Sequence, residues 1–187
     1  MRLRNIVILA VILAVLAGVF YWVSRPEPTT PPKSTVYVWD VEMDDITHIT
    51  IELPREGLSQ SFIKIPQGDK FPWFFDDPQR SPVDVNRWGG GIPLLLSGPG
   101  AARILTNYAT QAELAEWGLT NPSMKIIVTT NKDGVESVIE SDVGDLTPDG
   151  ENCYVRAPGS NAVALVDVTW YNVLVGLVEN PPYATKS

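Results

Sequence analysis

Apolar and polar positions divide the chain into one continuous apolar run near its start and a long remainder in which the two kinds of position alternate. Residues 6–23 read IVILAVILAVLAGVFYWV, eighteen positions without a charge. As an α-helix, a run of that length would be about 27 Å long, which matches the hydrocarbon thickness of a bilayer. The pattern predicts a transmembrane anchor. The residues expected to contact lipid are Ile6, Leu9, Leu13, Leu16, Phe20, Tyr21 and Trp22.

The charges that flank this run predict its orientation. Arg2, Arg4 and the amino terminus outweigh Arg25 on the other side, so residues 1–23 are expected to form a cytoplasmic tip and the anchor. The alternative is a signal peptide cleaved at Val15-Leu16-Ala17, which would leave an apolar stub on the mature protein. The predicted location is therefore the cell membrane, with one crossing and an extracytoplasmic main domain.

A proline-rich linker, residues 24–35, follows the anchor. Its four prolines fix φ and remove backbone donors, so a semi-extended spacer is expected. The globular domain is predicted to span residues 36–183, with a short tail at 184–187. A domain of this length buries roughly two-thirds of its unfolded surface in one core.

Within the globular domain, alternation with a period of two predicts strands joined by turns. Residues 47–53 alternate apolar and polar side chains, and Pro54 to Gly57 forms a turn into a returning strand at 61–65. Lys132-Asp133-Gly134 is a second hairpin turn, because glycine tolerates positive φ. The other predicted strands are 36–41, 71–75, 101–105, 124–130, 135–140, 153–157 and 163–166.

Two main helices are expected besides these strands. Asp167 caps a helix from 168 to about 178 with an apolar face, and the apolar segment 83–97 is a weaker candidate, interrupted by glycines and Pro93. A capping box at Thr110 opens a third, short helix. The predicted class is α+β with a mostly antiparallel sheet. Residues 47–97 and 124–178 share one order of elements, so either two pseudo-repeated halves or one irregular sheet is expected.

Several short motifs in the second half carry a family resemblance. They are Trp117-Gly118-Leu119-Thr120-Asn121-Pro122, Gly144-Asp145, Pro148-Asp149-Gly150, Tyr154-Val155-Arg156 and Ala164-Leu165-Val166, in that order. Asp45-Ile46-Thr47 and Trp73 extend the pattern into the first half. Over residues 36–178 the chain resembles the bacterial family called domain of unknown function 4340. Some members neighbour auxiliary proteins of ABC transporters, which implies an extracytoplasmic accessory role, and the resemblance implies no catalytic residues.

Charge and composition narrow the classes of function. Residues after Arg25 carry 11 basic and 22 acidic side chains. A domain this acidic repels phosphate backbones, so nucleic-acid binding is excluded. A single cysteine, Cys153, excludes an intramolecular disulfide and a cysteine-based zinc cluster, and a single histidine excludes histidine-rich metal sites.

No reactive constellation emerges from the remaining motifs. His48 lies on the solvent-side phase of its strand, no G-x-S-x-G elbow is present, and no glycine-rich stretch leads into Lys-Ser/Thr. The acidic loop predicted at 142–150 has carboxylates without EF-hand spacing, so it is interpreted as structural; these are Asp142, Asp145, Asp149 and Glu151. The chain is therefore predicted to be no enzyme and to need no cofactor or metal.

The glycine- and proline-rich segment 87–100 is the predicted contact surface, because it keeps apolar residues in an irregular setting. Core packing is the alternative. Nearby arginines are expected either to bind a partner's carboxylates or to pair with Asp76, Asp77 or Asp84. The candidate contact residues are Trp73, Phe74, Arg87, Trp88, Leu94 and Leu95.

The predicted function is that of a non-enzymatic accessory subunit of a membrane complex, whose acidic domain contacts other proteins. A glycan- or small-ligand-binding module is the alternative, and a hydrolase is the third hypothesis. A flat apolar patch would favour protein contact, whereas an open pocket lined by tryptophan with convergent polar groups would favour a small ligand.

Overall fold

The structure, a computed structural model, describes residues 36–68, 70, 72–88 and 91–184. The predicted anchor, the linker and the last three residues lie outside the described residues. In the part of the chain that the structure describes, no helix combines the length and the apolar character that a membrane crossing requires.

In the described part of the chain, eight strands form a single sheet in the order β3-β2-β1-β5-β6-β7-β8-β4, and neighbouring strands pair antiparallel throughout. This confirms the predicted mostly antiparallel α+β class. The strands are β1 (Ile46–Leu53), β2 (Leu58–Lys64), β3 (Trp73–Phe75), β4 (Ala101–Thr106), β5 (Met124–Lys132), β6 (Val135–Leu146), β7 (Asn152–Arg156) and β8 (Val163–Asp167).

Among the described residues, four α-helices and one 3₁₀ turn, Met43–Asp45, accompany the sheet. The helices are α1 (Val85–Trp88), α2 (Gly91–Ser97), α3 (Gln111–Glu116) and α4 (Val168–Glu179). The segment predicted as one weak helix at 83–97 thus contains two short ones. Pro93 fits α2 because it lies in the first turn, where its missing N–H would have no intrahelical partner.

One face of the sheet, which we call the packed face, carries the main core. Ile49 and Ile51 of β1 lie between Phe62 of β2 and the apolar positions of β5, as their register places them. Helix α4 crosses this face in contact with β1, β2, β7 and β8 and buries Trp170 and Leu174 against it. Alternation along the strands therefore leaves the other face largely polar.

A smaller core covers one end of the opposite face. It joins Leu114 of α3 to Leu119 and to Val163 of β8, with the Trp117 and Tyr154 rings stacked beside them. The two rings lie 5.5 Å apart at 11°. The rest of the opposite face, over β2, β1 and β5, is not covered by a described helix.

Two sequence expectations differ from the structure. The strand predicted at 135–140 continues to Leu146, so Asp142 and Asp145 lie in β6 rather than in a loop. The reason is that β6 pairs with β5 as far as Met124↔Val143, a cross-strand constraint that a local acidic pattern cannot reveal. The strand predicted at 36–41 is reduced to one bridge, Tyr37↔Gly100.

The two halves meet at the β1–β5 pair in the middle of the sheet. β2 lies outside β1, and β6 lies outside β5, so each half contributes one hairpin to the centre. This arrangement places the glycine turns of the two hairpins, at residues 54–57 and 133–134, at opposite ends of the sheet, because β1 and β5 run antiparallel.

Candidate functional site

Two tryptophans hold the C-terminal end of α2 against the core. The Trp39 indole Nε1 donates to the carbonyl of Leu96 at 2.9 Å, and the Trp170 Nε1 donates to the carbonyl of Leu95 at 3.0 Å. Carbonyls at this end of a helix have no intrahelical partner, so the two indoles satisfy groups that would otherwise need water. The leucines of α2 therefore have fixed positions.

The three consecutive leucines of α2 differ sharply in exposure. Leu96 is fully buried at 0% exposure, Leu95 is half-buried, and Leu94 is 60% exposed. On a helix, consecutive residues point about 100° apart, so one side chain of three faces solvent once the other two pack. The apolar run at 94–96 is thus divided between the core and the surface.

The exposed leucine borders a groove of about 470 Å³, which we call the Leu94 groove. Its apolar walls are Tyr37, Leu94, Leu95, Pro99 and Trp170. Asp40 and Asp167 are its charged lining residues, and none of the described lining residues is basic.

Asp167 is ionised in this groove at neutral pH. Hydrogen bonds from the side chain and backbone N–H of Thr169, at the start of α4, lower the pKa of the Asp167 carboxyl below its usual value. The backbone N–H donates at 2.7 Å. The groove therefore joins apolar walls to negative charge.

Trp88, one of the predicted contact residues, belongs to the core instead. Its side chain is 5% exposed, and its ring lies 4.6 Å from Phe62 and 5.4 Å from Trp73. Trp73 is half-buried in this stack, with the Lys64 ammonium 5.6 Å from its ring. Tertiary packing decides this placement, because α1 folds back over β2 and β3.

Phe74 and Arg87 do not join the groove either. Phe74 is half-buried and pairs with Ile63 on the opposite face of the sheet. Arg87 donates to the carbonyls of Asn180 and Pro181, at 2.6 and 3.1 Å, and so caps the end of α4. Of the six predicted contact residues, the structure brings only Leu94 and Leu95 together at an open surface.

His48 and Arg80 take part in local pairs, whereas Arg103 does not. Arg80 forms an ion pair with Asp76, which also lies 2.9 Å from the His48 Nε2. Partial burial lowers the His48 pKa, and the positive charge of Arg80 lowers it further. His48 is half-buried on its strand rather than fully exposed. Arg103 lies exposed on β4 and has no ion-pair partner among the described residues.

The predicted acidic cluster is dispersed over the sheet. Asp142 pairs with Arg156 and, at 3.8 Å, with Lys125, whereas Asp145 pairs with Arg55 at 2.7 Å. Asp149 accepts from the backbone of Glu151 in the 147–151 loop. Among the described residues, no three histidine, cysteine or carboxylate side chains are placed to hold a metal ion.

Two of the motifs that carry the family resemblance, residues 117–122 and Gly144-Asp145, contact each other. The Asp145 N–H donates to the Trp117 carbonyl at 2.9 Å, and Arg55 donates to the Asn121 carbonyl at 2.6 Å. A Cβ on Gly144 would lie 2.0 Å from the Trp117 carbonyl oxygen. Gly144 is thus required by close backbone packing, which sequence spacing alone could not reveal.

Comparison with known proteins identifies one family. Residues 101–174, from β4 into α4, match the model of the family described as Domain of unknown function (DUF4340). No curated protein and no solved structure matches the chain. The resemblance predicted from the sequence is thus confirmed for the second half, and residues 36–100 lie outside the match. Residues 101–174 are therefore similar to the family described as Domain of unknown function (DUF4340), the family that the sequence motifs indicated.

Proposed function

We propose that this chain is a non-enzymatic, single-pass membrane protein whose extracytoplasmic domain contacts another protein through the Leu94 groove, as an accessory subunit of a membrane complex. The observation that carries the proposal is the 60% exposure of Leu94 on a helix end that two tryptophan hydrogen bonds hold in place. Exposed apolar side chains on a fixed backbone lose little entropy on binding, which favours association.

The groove's chemistry favours a protein over a glycan or small ligand. A sugar site needs convergent polar groups beside its aromatic ring, but the Trp170 indole N–H is already used by the Leu95 carbonyl. The apolar walls suit an apolar side chain of a partner, and Asp40 and Asp167 suit lysine or arginine beside it. The partner is therefore a protein that presents an apolar residue flanked by basic ones.

The membrane part of the proposal is supported by the sequence. The uncharged run 6–23 has the length of a bilayer helix, and the arginines before it favour a cytoplasmic N-terminus. The proline-rich linker would then hold the domain at a distance from the bilayer, where it can reach an extracytoplasmic segment of the complex.

Site-specific photocrosslinking in intact cells tests the proposed contact. A benzophenone amino acid placed at position 94 should trap a membrane-complex protein, and the trapped segment should be apolar with lysine or arginine beside it. The matched control is position 85 in α1, where Val85 is 78% exposed and outside the groove. That position should give no such adduct.

A second measurement separates contact from folding. Leu94→Asp should abolish co-purification with the trapped protein while leaving the melting temperature nearly unchanged, because the side chain is largely solvated already. The proposal fails if position 94 crosslinks only to a second copy of this chain, to a lipid or to a glycan, or if it gives no adduct.

A further inference from the structure

The first half of β6 has a strand on one side only. β6 pairs with β5 continuously from Lys132↔Val135 to Met124↔Val143, whereas its pairing with β7 begins at Val143↔Val155. Among the described residues, no strand adjoins residues 135–141 on the β7 side. This stretch, which we call the β6 edge, therefore has an unpaired side, although β6 lies between β5 and β7 in the strand order of the sheet.

An open edge presents backbone groups that can accept another strand. Alternate N–H and C=O groups of the β6 edge point away from β5, and no backbone hydrogen bond from a described loop or turn uses them. Apolar side chains are also exposed here, with Val135 at 67% and Val138 at 55%. Exposed backbone and apolar groups together are the requirements for binding by strand addition.

The side chains beside this edge specify the chemistry of the added strand. Glu136, Val138 and Glu140 alternate along β6 and so lie on one face, opposite Asn131, Thr129 and Ile127 of β5. Neither glutamate forms an ion pair with a described residue. Cross-strand neighbours of opposite charge stabilise a pair of strands, and like charges destabilise it. The complementary strand has basic, apolar and basic residues at alternate positions.

The charges of Glu136 and Glu140 disfavour pairing of the β6 edge with a second copy of this chain. A two-fold pairing of β6 edges about Val138 would place Glu136 of one copy opposite Glu140 of the other, twice over. Like charges directly opposite in a sheet oppose pairing, and the domain as a whole is acidic. The occupant that fits is therefore a different, basic chain.

Space for such a strand is present beside the edge. A cavity of about 560 Å³ separates Glu140 from the β7–β8 turn, where Arg156, Gly159 and Asn161 line it. The Ser141 hydroxyl donates to the Arg156 carbonyl at 2.7 Å, next to the point where the pairing of β6 with β7 ends. An added strand would lie in line with β7 and end in this cavity.

We propose that the β6 edge binds an extended segment of another protein by strand addition, with lysine or arginine at two alternate positions on either side of an apolar residue. The lysines pair with Glu136 and Glu140, and the apolar residue packs on Val138. This surface is separate from the Leu94 groove, and the inference does not depend on that groove.

Peptide binding to the full-length protein in detergent micelles tests this inference. The probes are two fluorescently labelled, blocked peptides, Thr-Lys-Thr-Val-Thr-Lys-Thr and Thr-Glu-Thr-Val-Thr-Glu-Thr. The lysine peptide should bind at least about tenfold more tightly than the glutamate peptide, since two cross-strand ion pairs differ between them. N-methylation of alternate peptide nitrogens should abolish binding, because it removes the strand's donors.

Charge reversal provides the decisive comparison. Glu136→Lys with Glu140→Lys should invert the preference between the two peptides. The matched control, Glu56→Lys with Glu116→Lys, changes net charge equally at exposed positions away from the edge and should keep the original preference. Hydrogen exchange should slow for amides within residues 135–141 when the lysine peptide is added.

Three results would overturn the proposal. The first is equal or absent binding of the two peptides. The second is a loss of preference in the control variant that matches the loss in the edge variant, which would indicate general attraction to an acidic surface. The third is protection of amides elsewhere in the chain but not at 135–141. None of these results bears on crosslinking at position 94, so the two proposals can fail separately.

Discussion

Gly144 shows how one residue ties the family motifs together. A Cβ at this position would lie 2.0 Å from the Trp117 carbonyl oxygen, and that oxygen already accepts the Asp145 N–H. Gly118 is restricted as well, with φ at +72° and its Cβ position 2.5 Å from the Asp145 carboxyl carbon. Gly144 is therefore required by a backbone contact between segments distant in sequence, whereas Gly118 is required by its own positive φ.

Gly144→Ala should therefore lower the free energy of unfolding by about 2–3 kcal/mol, because the backbone of residues 117–119 must move to accommodate a methyl group. Gly176→Ala in α4 is the matched control. Nothing lies within 4 Å of a Cβ there, and alanine favours helix, so a gain of about 0.5–1 kcal/mol is expected. Urea unfolding followed by tryptophan fluorescence measures both. Equal effects of the two substitutions would contradict the packing explanation.

Cys153 is predicted to be chemically inert in the folded protein. Burial raises the pKa of its thiol to about 12, and its Sγ lies 3.5 Å from the Val166 carbonyl. The thiolate is the reactive form, so iodoacetamide at about pH 8 should leave native protein unmodified and label it fully in urea. Mass spectrometry measures the fraction of Cys153 that is labelled. Rapid labelling without denaturant would show that β7 opens readily.

At the scale of elements, the capping box of α3 is the clearest case of local hydrogen bonds that fix the start of a helix. The Thr110 Oγ accepts from the Glu113 N–H, and the Glu113 carboxylate accepts from the Thr110 N–H and hydroxyl. Those bonds lower the pKa of Glu113, the backbone N–H contributing most. A carboxyl with a lowered pKa stabilises the fold above its unfolded pKa, and this stabilisation is lost as the pH falls through the folded pKa.

Thr110→Ala should destabilise the protein by about 1 kcal/mol at neutral pH, since α3 loses its N-cap. The difference between variant and wild type should shrink as the pH falls through the lowered pKa of Glu113, because the carboxylate then becomes protonated and half of the box is lost in both proteins. Thermal unfolding at several pH values measures this difference. A cost that stays constant with pH would show that the bond from the Thr110 hydroxyl to the Glu113 carboxylate contributes nothing.

The contrast between α1 and α2 leads to another prediction. Trp88→Ala should cost about 3–5 kcal/mol, because it removes an aromatic side chain stacked on Phe62 and Trp73. Leu94→Ala should change stability by less than about 0.5 kcal/mol, because the side chain is mostly exposed. Chemical unfolding of the two variants makes the comparison. A large cost for Leu94→Ala would mean that the groove wall is part of the core.

At the scale of the whole molecule, membrane topology is the expectation with the widest consequences. Ser160→Cys in the exposed β7–β8 turn should react with a membrane-impermeant maleimide in cells whose outer envelope is permeabilised. Asn5→Cys, before the apolar run, should react only after lysis, because Arg2 and Arg4 favour a cytoplasmic N-terminus. Native Cys153 should contribute no background. The reverse labelling pattern, or release of the protein by carbonate, would contradict the predicted topology.

Local patterns by themselves determined much of this protein. Alternation predicted most strands, Asp133-Gly134 predicted the β5–β6 turn, where both residues have positive φ, and Asp167 predicted the start of α4. These features depend on neighbours within a few residues, which is the range over which propensity, capping and turn preferences act.

Only the tertiary structure decided how those elements are used. Trp88 and Leu94 belong to one apolar segment, yet one is buried and the other exposed, because each depends on the strands and indoles packed against it. The length of β6 and the open β6 edge likewise follow from where β5 continues and β7 ends. Such contacts join residues far apart in sequence, and no local pattern encodes which distant partner a strand or side chain will meet.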